Sequence, residues 1–149
     1  MGFAIDANES PLVCSTWSDI FAPHEFIHVK DEGLSSVTVV ELYTELAARG
    51  YDALITRDKR QLKVPDELQA LKKSGLTWIG HKEPQGKGLQ IITQLMASYC
   101  LALPHIIKLI QENSMPLRME VKNQPRGASQ VLNAWKLSGK DYVRASLPR

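Results

Sequence analysis

The sequence predicts an α/β protein whose parallel strands carry helices on both faces. Short apolar runs at residues 2–6 (GFAID), 25–29 (EFIHV), 53–56 (ALIT) and 76–80 (LTWIG) are separated by stretches of helical period. Alternation at these lengths joins parallel strands through right-handed crossovers. In addition, the first run ends in Asp6, and the third is followed within two residues by Asp58. Both aspartates therefore fall at the carboxyl edge, where open α/β sheets place their chemistry.

The elements follow in order. After the first strand, Ser10 suits a helix cap and Pro11 a first helical position, for a helix that runs to about Phe21 and is closed by Pro23. Residues 25–29 form the second strand, and residues 30–36 a polar loop. Ser35 or Ser36 caps the next helix, in which Val39, Leu42, Tyr43 and Leu46 fall at i, i+3, i+4 and i+7 and face the sheet. Arg49 and Gly50 end it. The strand at 53–56 leads into a basic loop at 57–63 and then a third helix, opened by Pro65, Asp66 and Glu67 and stopped by Gly75.

Residues 76–80 form the fourth strand and 81–88 a Gly- and Lys-rich loop. Residues 89–112 read as a helix bent or divided at Pro104, because proline removes a helix hydrogen bond. Residues 116–122 alternate apolar and charged side chains, which suits an edge strand. The organisation expected is one domain over residues 1–122 and a basic tail over 123–149.

The 149 residues are 44% hydrophobic and 23% charged, enough to bury a core. The segment 89–110 is interrupted by Gln90, Gln94, His105, Lys108 and Pro104, so no membrane span is expected; its apolar content suggests a homodimer. No basic start leads into an apolar signal core, and a cytoplasmic location follows as the expectation. Cys14 and Cys100 read as small buried hydrophobes, and the four histidines, which lack metal-ligand spacing, as surface or core residues. Trp17 and Trp78 read as packing residues, and Trp135 as the tail's candidate for base stacking. Residues 1–50 hold eight acids and two bases, whereas the other 99 hold sixteen bases and eight acids. An acidic half beside a basic half suits a cation site next to a polyanion track.

Two strand-end aspartates, Asp6 and Asp58, with Glu9 three residues beyond the first, are positioned to share a hard cation such as Mg or Mn, which needs few carboxylates because it keeps several waters. Hydrolysis of a phosphodiester is the natural chemistry. Arg57, Lys59, Arg60 and Lys63 follow at once, suited to holding a phosphate backbone, with Lys82 and Lys87 in the next loop of the same edge. A haloacid-dehalogenase-like phosphatase requires an aspartate where Asn8 stands, and a phospho-receiver a lysine where the fourth strand ends in Gly80.

The stretch DEGLSSVTVVELYTELAARGYDALITRDKR, residues 31–60, resembles PIN-like ribonuclease domains, especially the VapC toxins and their relatives. Asp6 matches the aspartate that closes their first strand, and Thr56-Arg57-Asp58 their T-x-D. The resemblance covers residues 2–80 well and extends plausibly through the helix at 89–112. It implies a three-layer αβα fold and a Mg- or Mn-dependent endoribonuclease acting on RNA, the toxin of a pair whose partner is an antitoxin protein. Asp6 and Asp58 are then metal ligands, and Thr56 supports the site through its hydroxyl. Where relatives carry an acid before T-x-D, Val39 and Val40 stand; Glu41 is the nearest acid, and Asp31 and Glu32 are the substitutes from the preceding loop. Gln61 replaces an aromatic often found after T-x-D. The alternative is a catalytically degenerate PIN-like module that binds RNA or a protein.

Overall fold

A computed structural model describes residues 1–138 and 141–148. The chain runs β1 (Gly2–Ile5), α1 (Leu12–Ile20), β2 (Glu25–His28), α2 (Val39–Ala48), β3 (Ala53–Thr56), α3 (Pro65–Ser74), β4 (Thr77–His81), α4 (Leu89–Glu112) and β5 (Arg118–Val121). These strands form one all-parallel sheet in the order β2-β1-β3-β4-β5, covered by helices on both faces as a three-layer αβα fold.

Period-two alternation sorts the core into two layers. Phe3, Ile5, Ala53, Ile55, Ile79 and Val121 point to one face, where Val13 and Trp17 of α1 and Leu95, Tyr99, Leu103 and Ile106 of α4 cover them. Ala4, Leu54 and Trp78 point to the other, under Leu42, Tyr43 and Leu46 of α2 and Leu71 of α3. Each fully buried Leu or Ile stabilises the fold by about 1.5–3 kcal/mol. Trp17 and Trp78 are both core residues. The Trp78 ring lies over Gly80, where a Cβ would meet it at 2.0 Å, so only glycine fits there.

The helix at 65–74 begins and ends where the sequence predicts, with Gly75 in the left-handed region at φ 77°. Several expectations need correction. The α2 cap is Thr38 rather than Ser35 or Ser36. The fourth strand is shifted by one residue and includes His81. Pro104 does not divide α4, which is continuous over 24 residues. Proline removes the bond to the Cys100 carbonyl, but Leu103 and Ile106 on either side remain buried against the sheet.

One crossover departs from the expected hand. The α1, α2 and α3 connections share one hand, given the strand order and the faces they cover, but α4 crosses from β4 to β5 on the face that α1 occupies. It is therefore opposite in hand to the other three, against the strong right-handed preference. A third helix over the α2–α3 face would have left Ile79 and Val121 bare on the α1 face; α4 buries them. The connection of residues 82–88 carries the chain across the sheet's carboxyl edge to do this.

By length and composition α4 is long and apolar enough to cross a membrane, and its buried residues pack on the sheet. Cys14 and Cys100 are free and half-buried rather than fully buried. Beyond β5 come a helical turn, α5 (Ala128–Val131), and an antiparallel hairpin, β6 (Trp135–Ser138) and β7 (Asp141–Arg144). Gln94 and Arg126 tie the start of this segment to α4 and to the 82–88 connection: Gln94 Nε2 donates to the Gln124 carbonyl at 2.8 Å and Arg126 Nη1 to the Gln85 carbonyl at 2.6 Å. Trp135 is 54% exposed.

Candidate active site

The strand order reverses between β1 and β3, and open α/β sheets form crevices at such points. Ile5 and Ile55 are paired there, so the next residues, Asp6 and Thr56, emerge side by side. The Thr56 hydroxyl donates to Asp6 Oδ2 at 2.6 Å and accepts from the Asp58 backbone N–H at 3.0 Å. One buried hydroxyl thus holds the Asp6 carboxylate and fixes where the chain turns toward Asp58.

A second fixture is Gln61, in the 3₁₀ turn Lys59–Leu62. Its Oε1 accepts from the Tyr43 hydroxyl at 3.0 Å and from Trp78 Nε1 at 3.3 Å, which turns its amide NH₂ toward Asp6 Oδ2 at 3.3 Å. Burial, then the charges of Glu67, Asp6 and Asp58, push the Tyr43 hydroxyl far above its ordinary range, so it stays a donor. Asp58 caps the 3₁₀ turn and receives Arg60 Nε and Nη2 at 3.0 and 3.1 Å. Those hydrogen bonds outweigh its partial burial and hold its carboxyl below the usual range.

Glu9 lies beneath this edge with a side chain only 1% exposed. Arg57 grips it with two bonds, Nε to Oε1 at 2.9 Å and Nη2 to Oε2 at 2.8 Å. His81 Nε2 sits 3.0 Å from Glu9 Oε1 without the alignment of a full hydrogen bond, and His81 Nδ1 is 2.6 Å from the Tyr99 hydroxyl. With Tyr99 donating to Nδ1, the ring's Nε2 proton faces Glu9, the tautomer that suits both contacts. Burial pushes the Glu9 carboxyl up, but the His81 and Arg57 contacts outweigh it and leave it below its ordinary value. Burial, with the Glu9 charge, raises the Tyr99 hydroxyl well above its range.

The structure therefore brings Asp6, Thr56 and the Asp58 backbone together, with the Asp58 carboxylate turned to Arg60, and gives the other candidates different surroundings. Glu9 is engaged by Arg57 and His81. Glu41 is an exposed helix-capping residue: Thr38 Oγ1 accepts from its backbone N–H and its Oε2 accepts from the Thr38 N–H at 2.8 Å. The pattern T-x-x-E at 38–41 was the sequence signal for that role. Asp31 is exposed in the turn after β2; burial, with the Asp31 charge second, raises the Cys14 thiol to about 11.

The basic loop is not an open phosphate track. Arg57 is bound to Glu9, Lys59 to Glu120 at 2.6 Å and Arg60 to Asp58; Lys63 is exposed and lacks an ion pair among the described residues. Sequence reasoning missed Gln61, Tyr43, His81 and Tyr99, whose partners are at least 17 residues away.

Among the described residues, no group of three or more His, Cys, Asp or Glu side chains is placed to hold a metal ion. Thr56 joins the Asp6 carboxylate to the Asp58 backbone N–H, and both Asp58 oxygens face Arg60. Magnesium is commonly bound by one or two carboxylates with waters and substrate phosphates completing its shell, so Asp6 and Asp58 are the residues at this edge that could hold it once Arg60 moves aside. No protein-family model matches the chain, and neither a curated protein nor a solved structure aligns with it.

Proposed function

We propose that the protein is a PIN-like, Mg- or Mn-dependent endoribonuclease whose ion is held by Asp6 and Asp58. The observation that carries this reading is the Thr56 bridge, which ties two carboxylate-bearing segments to one hydroxyl at the strand-order reversal. When bound, the ion supplies an activated water and neutralises charge on the phosphate. Thr56 and Gln61 orient the Asp6 carboxylate. Arg60 is 86% exposed and free to move from Asp58 to a phosphate oxygen, while Lys63 attracts the strand. The toxin role and an antitoxin partner rest on the resemblance of residues 31–60.

The test is calorimetric titration of Mg and Mn into the natural protein and the Asp6→Asn and Asp58→Asn variants, followed by cleavage of a panel of RNAs. Binding and cleavage are expected in the natural protein and lost in both variants. Cleavage that survives Asp58→Asn refutes the assignment.

A second reading, a non-catalytic PIN-like module that binds RNA or a protein, is favoured by one observation. The α2 N-terminus offers Val39 and Val40, and the Glu41 carboxylate there is turned onto the Thr38 backbone. RNA binding with neither ion dependence nor cleavage supports it.

A further inference from the structure

The parallel register of β4 and β5 pairs Gly80 with Glu120 and His81 with Val121. The next residues along each chain are Lys82 and Lys122. Parallel neighbours lie about 4.8 Å apart, so two ammonium-bearing chains leave the sheet side by side. Asn123 Nδ2 donates to the Lys82 carbonyl at 3.4 Å and ties the two exits together. Lys82, Lys122, Asn123, Val121 and Glu120 line a cleft of about 590 Å³. Its single carboxylate, Glu120, already receives Lys59 Nζ at 2.6 Å and also feels the Lys82 charge, while Lys82 and Lys122 are exposed and neither forms a close ion pair among the described residues. One carboxylate does not neutralise the three ammonium groups of Lys59, Lys82 and Lys122, and an anion seated between Lys82 and Lys122 removes the repulsion that remains.

We propose that this cleft is a second phosphate-binding site, which takes a backbone phosphate of single-stranded RNA. The choice of RNA rests on the nuclease reading above; the preference for a phosphate rests on the cleft. The cleft opens beyond β4 and β5 on the same carboxyl edge as Asp6 and Asp58. It is separated from them by about two strand spacings, on the order of 10 Å, the reach of a neighbouring nucleotide. A strand seated in both places runs across the ends of β3, β4 and β5, along the side from which the 82–88 connection leaves. Sequence-independent lysine contacts of this kind fix where the strand lies without reading its bases.

The experiment measures the fluorescence anisotropy of a labelled single-stranded RNA, in EDTA to prevent cleavage, across a range of KCl concentrations. Replacing Lys82 and Lys122 together by alanine should weaken binding and flatten the log–log salt dependence by about 1.4, the share of two phosphate contacts on a single strand. A double Lys72→Ala, Lys73→Ala variant removes the same charge from the far end of α3, at the opposite sheet edge, and should bind as the natural protein does. Unchanged binding in the first variant, or equal weakening in both, overturns the proposal. A mononucleotide that competes as well as the oligonucleotide, phosphate for phosphate, overturns the assignment to a strand.

Ion binding is read separately by calorimetry. RNA affinity that depends on Lys82 and Lys122 in a protein that binds no ion sinks the nuclease and keeps the cleft. Ion-dependent cleavage with RNA affinity indifferent to those lysines does the reverse.

Discussion

Two arginine–carboxylate pairs lie at the end of β1 and β3, and they differ in burial rather than in chemistry. Arg57 grips Glu9 at 2.9 and 2.8 Å, and Arg60 grips Asp58 at 3.0 and 3.1 Å, both with two bonds. Glu9 is 1% exposed and Arg57 22%, whereas Asp58 is 20% exposed and Arg60 86%. Water and salt screen the outer pair, which contributes little to stability and opens readily. The inner pair is largely withdrawn from water, so removing Glu9 leaves Arg57 only a longer contact to the exposed Glu83, at 3.6 Å. Burial therefore divides the edge into a fixed base, Glu9 with Arg57, His81 and Tyr99, and an adjustable rim, Asp58 with Arg60.

The largest expected effect breaks the base. Glu9→Ala leaves the Arg57 guanidinium only Glu83 at 3.6 Å and should cost about 3 kcal/mol in urea denaturation, the lower end for breaking a buried pair. A loss no larger than that of an ordinary surface substitution would mean that burial does not separate the two pairs. The pH dependence sharpens the point. The folded-state pKa of Glu9 lies below its ordinary 4.5, so its stabilising contribution is complete above that value and is lost as the pH falls through the folded-state pKa. Denaturation midpoints followed down through the acid range should fall in the natural protein and change less in Glu9→Gln.

An intermediate effect is expected where base and rim meet. Thr56→Val removes the hydroxyl that Asp6 Oδ2 and the Asp58 N–H both use, at a completely buried position. It should cost about 1–3 kcal/mol and weaken ion binding together with stability. Lost stability with unaltered ion affinity would separate Thr56 from the site. The smallest stability effect is expected at the rim. Arg60→Ala should leave the thermal midpoint nearly unchanged and strengthen Mg binding by calorimetry, because it frees the Asp58 carboxylate. Weaker ion binding would make Arg60 a support of the site rather than a competitor for it.

The elements that could be read in the sequence are those set by neighbours in the chain. The α3 boundaries follow from Pro65 and Gly75, and the stripe Val39, Leu42, Tyr43 and Leu46 lands on the sheet because helical period alone places it there. Asp6 and Asp58 were legible as strand-end acids because the apolar runs before them stop abruptly. Glu41 was misplaced because the cap expected at Ser35 or Ser36 puts its partner, Thr38, inside the helix rather than at its start. Glu9, by contrast, has partners 48 and 72 positions away, Arg57 and His81, and nothing local announces either contact.

By itself, then, the amino-acid sequence determined the alternation of strands and helices, the faces of each element, and the two aspartates at the sheet's edge, because propensity, period and turn chemistry act within a few residues. Only the tertiary structure decided the strand order that sets Asp6 beside Thr56, the opposite hand of the α4 crossover, and which charges are buried. Those outcomes depend on which apolar surfaces remain to be covered once the other elements have packed, and on how far water is excluded from each ion pair. Both are properties of the assembled chain.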